Sequence, residues 1–385
     1  MGRLCYVKEG SIVSNVIPVN EPLLVGNEKK YLAECIDTGW ISSEGPFVKR
    51  FESEFSARMG RKHGIAVTNG TAAVDVAVEA LGIGAGDEVI LPTFAIISCV
   101  LQIVRSGATP VLVDSDPLTW NMDVAQVESK ITPRTKAILV VHTYGLPVNM
   151  DPIMDICSRY GLKLIEDAAE MIGQTYKGRP CGSFGDISTV SFYPNKHITT
   201  GEGGMVLTGN DFLADTCRDL RNLCFRPGRR FVHERLGWNL RMTNLQAAVG
   251  CAQLENLDKF VDKKRWIGRR YGEFLANLLT VQKPLLQTDY ATNIFWVYGV
   301  VMNESFKFNA DTAIERLAEQ GVGCRPFFYP LHKQPVLLEL GLFKGETYPV
   351  AERLSQRGFY LPSGLALTHE KIEQVSSSLY RVLTQ

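Results

Sequence analysis

"KAILVVHTYG" (Lys136–Gly145) and "LKLIEDAAE" (Leu162–Glu170) share one form: a short, β-branched apolar run that ends in polar residues or glycine. "DEVILPT" (Asp87–Thr93) and "TPVLVDSD" (Thr109–Asp116) repeat it. Continuous apolar runs of this length suit strands buried on both faces of a parallel sheet. The stretches between them carry helical spacing. "TAAVDVAVEALGIGAGD" (Thr71–Asp87), for example, closes on glycines. The alternation predicts βαβ units and an open α/β sheet. Polar residues gather at the carboxyl ends of the strands, where such sheets bind ligands. "DISTVSFY" (Asp186–Tyr193) and "GGMVLTG" (Gly203–Gly209) read as two further strands. A long helical pattern begins at Met242, and the sequence after it is more mixed. The expected division is a large domain over residues 1–260, including an N-terminal segment, and a smaller one over 261–385.

Bulk properties narrow the class. Of 385 residues, 45% are hydrophobic and 21% charged, ordinary for a globular chain. Forty-one basic residues balance 41 acidic ones, so no general pull toward nucleic acid or an anionic membrane is expected. The nine cysteines are scattered without a CxxC pair, which argues against a disulfide frame or a zinc site. No apolar run reaches membrane-spanning length, and the start lacks a signal-peptide core. A cytoplasmic protein is expected.

Candidate chemistry lies where the strands end. Lys196 follows the strand "STVSFY" in a loop before a glycine-rich run. A lysine near packed sheet ends can have a depressed pKa and serve as a nucleophile toward an aldehyde. A lone loop lysine is otherwise a solvated charge. Asp167 closes the strand "KLIED" in an apolar segment and calls for a cationic partner. A protonated pyridine nitrogen is one such partner; a plain helix cap is the other reading. "TNGTAAV" (Thr68–Val74) sets Asn-Gly-Thr before an amphipathic helix, a phosphate seat or an ordinary turn. Ser191 adds a hydroxyl close to Lys196. Together these make an aldehyde trap, a pyridinium partner and a phosphate cup.

With these motifs in order, the chain resembles the DegT/StrS-like sugar aminotransferases. "WISSEGPFVKRFE", "TNGTAAV", "GDEVILPT", "VVHTYGLPVNMDPI", "IEDAAE", "SFYPNKHITTGEGG", "GWNLRMTNLQAA", "RPFFYPLH" and "LPSG" carry the likeness nearly end to end. The resemblance implies the aspartate aminotransferase fold (fold type I): a large, mostly parallel-sheet α/β domain and a smaller C-terminal α+β domain. It implies pyridoxal 5'-phosphate as cofactor, L-glutamate as amino donor, and a homodimer with shared active sites. Lys196 falls on the lysine that bonds the cofactor covalently. His197, one place beyond, is read as a packing neighbour. A related dehydratase branch carries histidine at the lysine position; this chain keeps the lysine and is expected to transaminate.

Other positions follow from the same resemblance. Gly70, Thr71 and Ser191 match phosphate contacts, and Asp167 matches the pyridine partner. Glu170 matches the position near the ring hydroxyl. Asn239 matches an asparagine reaching the neighbouring subunit's phosphate, and His332 a residue at the substrate mouth. Two departures stand out. Ile96 takes the place of an aromatic that stacks on the cofactor ring. "NLCFRPGRRFVHE" replaces a short glycine-rich segment, with Arg226, Arg229 and Arg230 as an expected anion clamp or a solvated loop. The arginines lean the substrate reading toward a sugar acid, an 8-oxo octulosonate giving 8-amino-3,8-dideoxy-manno-octulosonate for lipopolysaccharide. The alternative is a nucleotide-linked 4-keto-6-deoxyhexose, as in perosamine synthesis. A dehydratase and a non-catalytic, cofactor-binding regulator are the rival classes.

Overall fold

The structure is a computed structural model that describes residues 16–225, 228–229 and 231–384. Seven strands form the large sheet: β1 (His63–Val67), β2 (Glu88–Pro92), β3 (Thr109–Val113), β4 (Thr135–Val141), β5 (Lys163–Asp167), β8 (Ile187–Ser191) and β9 (Gly204–Thr208). Between β5 and β8 a small hairpin pairs β6 (Thr175–Tyr176) with β7 (Arg179–Pro180). The order across the large sheet is β1-β9-β8-β5-β4-β2-β3. Neighbours from β3 to β8 are parallel, and β9 runs antiparallel to both β8 and β1. The strand residues are almost wholly buried, as continuous β-branched runs demand when helices cover both faces.

Those helices come from the segments of helical spacing. After α1 (Glu28–Thr38) and α2 (Pro46–Arg58), α3 (Gly70–Ala80) and α4 (Ser98–Arg105) pack on one face of the sheet. α5 (Met150–Tyr160) covers the other, and α6 (Asp211–Arg221) joins α3. α7 (Asn244–Leu254) packs with α2 over β8 and β9. It opens on a complete capping box, Thr243 with Gln246.

The second sheet is antiparallel: β10 (Val281–Gln282), β11 (Tyr298–Met302), β13 (Gly358–Leu361) and β12 (Arg325–Pro326), in that order. It packs against α8 (Leu257–Phe274), α9 (Ala310–Glu319) and, at the chain end, α12 (His369–Thr384). α10 (Pro335–Glu339) and α11 (Pro349–Arg357) lean back on the large domain. The expected break at 260/261 falls within α8. Phe260 and Val261 pack with the large domain, while Ile267 and Tyr271 pack with the small one. The N-terminal stretch also sits with the small domain: Ile17 pairs with Val322, and the Ser363 N–H donates to the Val19 carbonyl. β1 was not among the expected strands, because "HGIAV" is short and holds a glycine.

Candidate active site

The ends of β1, β5 and β8 come together here. β1 runs into the Asn69 cap of α3, whose side chain accepts from the Ala72 N–H at 2.8 Å. The first amides of a helix have no acceptor within it, so those of Gly70 and Thr71 face out at the positive end of the helix dipole. A Cβ on Gly70 would lie 2.7 Å from the Ser191 Cβ, so only glycine lets the end of β8 approach this closely. The result is a cradle of amides and a hydroxyl suited to phosphate.

Asp167 ends β5. Its Oδ1 accepts from the Ala169 N–H at 3.0 Å, and its Oδ2 from the Cys99 thiol at 3.3 Å. Burial lifts its pKa above the usual carboxylate range, partly opposed by the Ala169 amide and the Lys196 charge. Three residues on, Glu170 accepts from the Tyr144 N–H at 2.7 Å. Burial pushes the Glu170 carboxyl up to about 7. Tyr144 stands at φ +56°, a sparsely populated conformation for a residue with a side chain, and this aims its amide at the acid.

Lys196 completes the group. Its Nζ lies 3.7 Å from Glu170 Oε1 and 4.0 Å from the centroid of the Trp296 ring. Burial pulls the amine below its ordinary pKa, while the charges of Glu170 and Asp167 pull it back. A buried amine that can shed its proton, beside an acid that can carry one, suits proton exchange at carbon and nitrogen. His197 is wholly buried. Desolvation and the nearby Lys264 hold its ring well below its ordinary value, so it is a neutral packing neighbour.

The remaining sequence candidates have these surroundings. Ile96 is half exposed, just before α4. Asn239 is exposed and forms an isolated backbone bridge with Asn222. Arg229 is exposed, while Arg226 and Arg230 lie outside the described residues. His332 is buried, with Nδ1 2.7 Å from the Thr93 hydroxyl and Nε2 3.0 Å from Glu352, so both ring nitrogens are occupied. Trp296, Tyr144, Cys99 and Lys264 were missed. The aromatic run "NIFWVYG" reads as core by itself, and only tertiary placement brings Trp296 over Lys196. Among the described residues no acid, histidine or cysteine cluster could hold a metal, and no helix is long and apolar enough to cross a membrane.

A seven-stranded mixed sheet, a smaller antiparallel domain and a buried lysine beside two acids are the frame of a pyridoxal 5'-phosphate-dependent aminotransferase of the aspartate aminotransferase fold. Residues 22–380 match the DegT/DnrJ/EryC1/StrS aminotransferase family, and the chain belongs to it. It is 44% identical over 368 residues to the GDP-perosamine synthase of Caulobacter vibrioides, covering 95% of this chain and 98% of that one. The GDP-perosamine synthase of Vibrio cholerae is 40% identical over 365 residues, covering 94% and 98%. Among solved structures, the aminotransferase TlmJ from Streptoalloteichus hindustanus superposes with a TM-score of 0.88 at 30% identity, covering 96% and 99%. The protein is a sugar aminotransferase.

Proposed function

We propose that this enzyme transfers the amino group of L-glutamate to C4 of a GDP-linked 4-keto-6-deoxyhexose. The observation that carries the sugar reading is the end-to-end identity with GDP-perosamine synthases. It favours the nucleotide-linked alternative over the octulosonate that the arginine cluster suggested, because a diphosphate meets an arginine as readily as a carboxylate does.

In this reading Gly70, Thr71 and Ser191 seat the cofactor phosphate, Asp167 faces the pyridine nitrogen, and Glu170 sits beside the ring hydroxyl. The cofactor supplies an electron sink and carries the amine between the two substrates. Lys196 would hold the cofactor covalently at rest. Once displaced, its neutral amine would take the proton from the donor's α-carbon in the first half-reaction and, in the second, would deliver a proton to the sugar carbon being aminated. Glu170 shares the proton load on Lys196. Asp167 favours the protonated nitrogen that makes the sink effective. Arg229, which is exposed, meets the anionic part of the sugar substrate. The working unit is a homodimer in which Asn239 reaches the phosphate seat of the partner copy, a role supported by its exposure.

The test uses the enzyme in its pyridoxamine phosphate form, mixed separately with a GDP-linked 4-keto-6-deoxyhexose and with an 8-oxo octulosonate. Return of the visible cofactor band with the nucleotide sugar alone is expected. Return with the octulosonate alone would overturn the sugar assignment. Sharing of sites is tested by mixing Lys196→Ala with Asn239→Ala. Random exchange of subunits in a two-fold dimer should restore roughly a quarter of wild-type activity, and no restoration would contradict it.

A further inference from the structure

Lys196 has a second neighbour besides the carboxylates. Its Nζ stands over the face of the Trp296 ring, 4.0 Å from the centroid. The 3.7 Å to Glu170 is longer than a hydrogen bond. Trp296 is buried and tied at both ends. Its indole N–H donates to the Asn195 carbonyl at 2.7 Å, which fastens the ring to the residue just before Lys196. Its own carbonyl accepts from Lys264 Nζ at 2.8 Å. The same amine donates to the Ser363 carbonyl at 2.6 Å. Lys264 is itself fully buried in α8, so one amine clamps the strand entering β11 to the loop leaving β13. The indole cannot tilt away from Lys196 without breaking one of these bonds.

We propose that Trp296, clamped by Lys264, is a positioning residue for Lys196: its ring face receives the ammonium form and holds the amine in register with Glu170. This rests on the reading of Lys196 as the amine that exchanges protons with substrate. A ring that served only as core filling would pack as well with an apolar neighbour over its face. Here the group on the face is an amine shielded from water, and its ammonium form meets the ring quadrupole in the situation where that acts most strongly. The groups facing Lys196 are Asp167 at the end of β5, Glu170 just beyond it, Cys99 on α4, the adjacent His197, and Lys264 on α8. The two carboxylates favour the charged amine, and burial and Lys264 oppose it. The ring face adds to the carboxylates' side. Weakening it therefore lowers the pH at which Lys196 loses its proton.

The test reads that pH directly. In the pyridoxamine phosphate form Lys196 bears a free amine. The full chain is pulsed with acetic anhydride across a pH series, and acetylation of Lys196 is followed by peptide mass spectrometry. Mono-, di- and trifluorinated tryptophan weaken the ring face with little change in shape, so folding is preserved. The chain has five tryptophans, and a Trp296→Phe background reports on the other four. The expected result is a stepwise fall of the midpoint with fluorination, reaching about one pH unit, a tenfold change in proton affinity. That fall should vanish in Trp296→Phe. A midpoint that fluorination leaves unmoved, or that moves equally in Trp296→Phe, overturns the proposal. If Trp296→Phe does not fold, the wild-type fluorination series decides alone. Lys196→Ala tests the underlying reading separately. If that variant transaminates, the role of Lys196 falls while a fluorine-dependent midpoint still stands.

Discussion

Glu166 and Asp167 are consecutive in β5 and point to opposite faces of it. Both are buried, and their surroundings could hardly differ more. The Glu166 carboxylate accepts from the N–H groups of Gly182 at 2.5 Å and Phe184 at 2.8 Å, from the Ser188 hydroxyl at 3.1 Å, and from His142 Nε2 at 3.1 Å. His142 Nδ1 in turn accepts from the Val148 N–H at 3.0 Å, which fixes the tautomer that donates to Glu166. Burial alone would raise the Glu166 pKa, but these donors outweigh it and hold the group below its ordinary value. Asp167 has one amide and one weak thiol donor, and its pKa is raised. A buried carboxylate with a full set of donors is fastening structure. One left short of donors beside a lysine keeps a raised pKa, and a cationic partner would stabilise its charged form.

The contrast breaks most visibly on the Asp167 side. Lys196→Ala should fold normally and still bind the cofactor noncovalently, because the cradle and Asp167 remain. Its turnover should fall by about 10³-fold or more, since both the covalent hold and the proton carrier are lost. Steady-state rates with a cofactor titration check this, and near wild-type turnover would remove Lys196 from its role.

On the other side of β5 the effect should be on stability. Glu166→Gln leaves His142 and two amides poorly matched in a dry interior, at a cost of about 3 kcal/mol. Chemical denaturation measures it; a change below the error of the method would mean the network is not fastening the fold. The pH dependence sharpens the same point. The folded pKa of Glu166 lies below the ordinary 4.5. Its stabilisation is therefore fully present above pH 4.5 and is lost as the pH falls through the folded value. The stability gap between wild type and Glu166→Gln should shrink below pH 4.5 and stay level from pH 6 to 8. A gap that widened toward acid would have the wrong sign.

The smallest effect is expected at the cradle. Gly70→Ala places a methyl 2.7 Å from the Ser191 Cβ, so the start of α3 must shift. Cofactor affinity should drop about tenfold, roughly 1.4 kcal/mol, with the glutamate half-reaction nearly unchanged at saturation. Fluorescence titration with pyridoxal phosphate reads it, and unaltered affinity would show that the close approach is not part of the phosphate seat.

The sequence displayed the parts of this site that depend on local pattern. β2, β3, β4 and β5 announce themselves as continuous β-branched runs, and the Asn-Gly-Thr cap and the lysine loop stand in recognisable stretches. What depends on tertiary placement was hidden. Nothing in "NIFWVYG" says that Trp296 will face Lys196 from about a hundred residues away. The positive φ of Tyr144 is likewise invisible until Glu170 is seen accepting its amide. The partners of the His332 ring, Thr93 and Glu352, were hidden for the same reason: Thr93 is distant in sequence and no local pattern joins the three. The reversed direction of β9 follows from pairing on both sides, which no strand pattern encodes.

The central claim is that the two faces of β5 divide the labour between chemistry and fold. It is tested most directly by single-turnover bleaching of the cofactor band with glutamate, measured in Asp167→Asn and Glu166→Gln alongside their thermal midpoints. A raised pKa on Asp167 reflects burial that asparagine does not suffer, so Asp167→Asn should keep or gain stability. Its half-reaction should slow by tenfold or more, since one unit of lost partnership at the pyridine nitrogen amounts to about 1.4 kcal/mol. Glu166→Gln should lose thermal stability and bleach at the wild-type rate at temperatures where it is folded. An Asp167→Asn enzyme that bleaches at the wild-type rate, or a Glu166→Gln enzyme that is fully stable yet slow, would contradict the account.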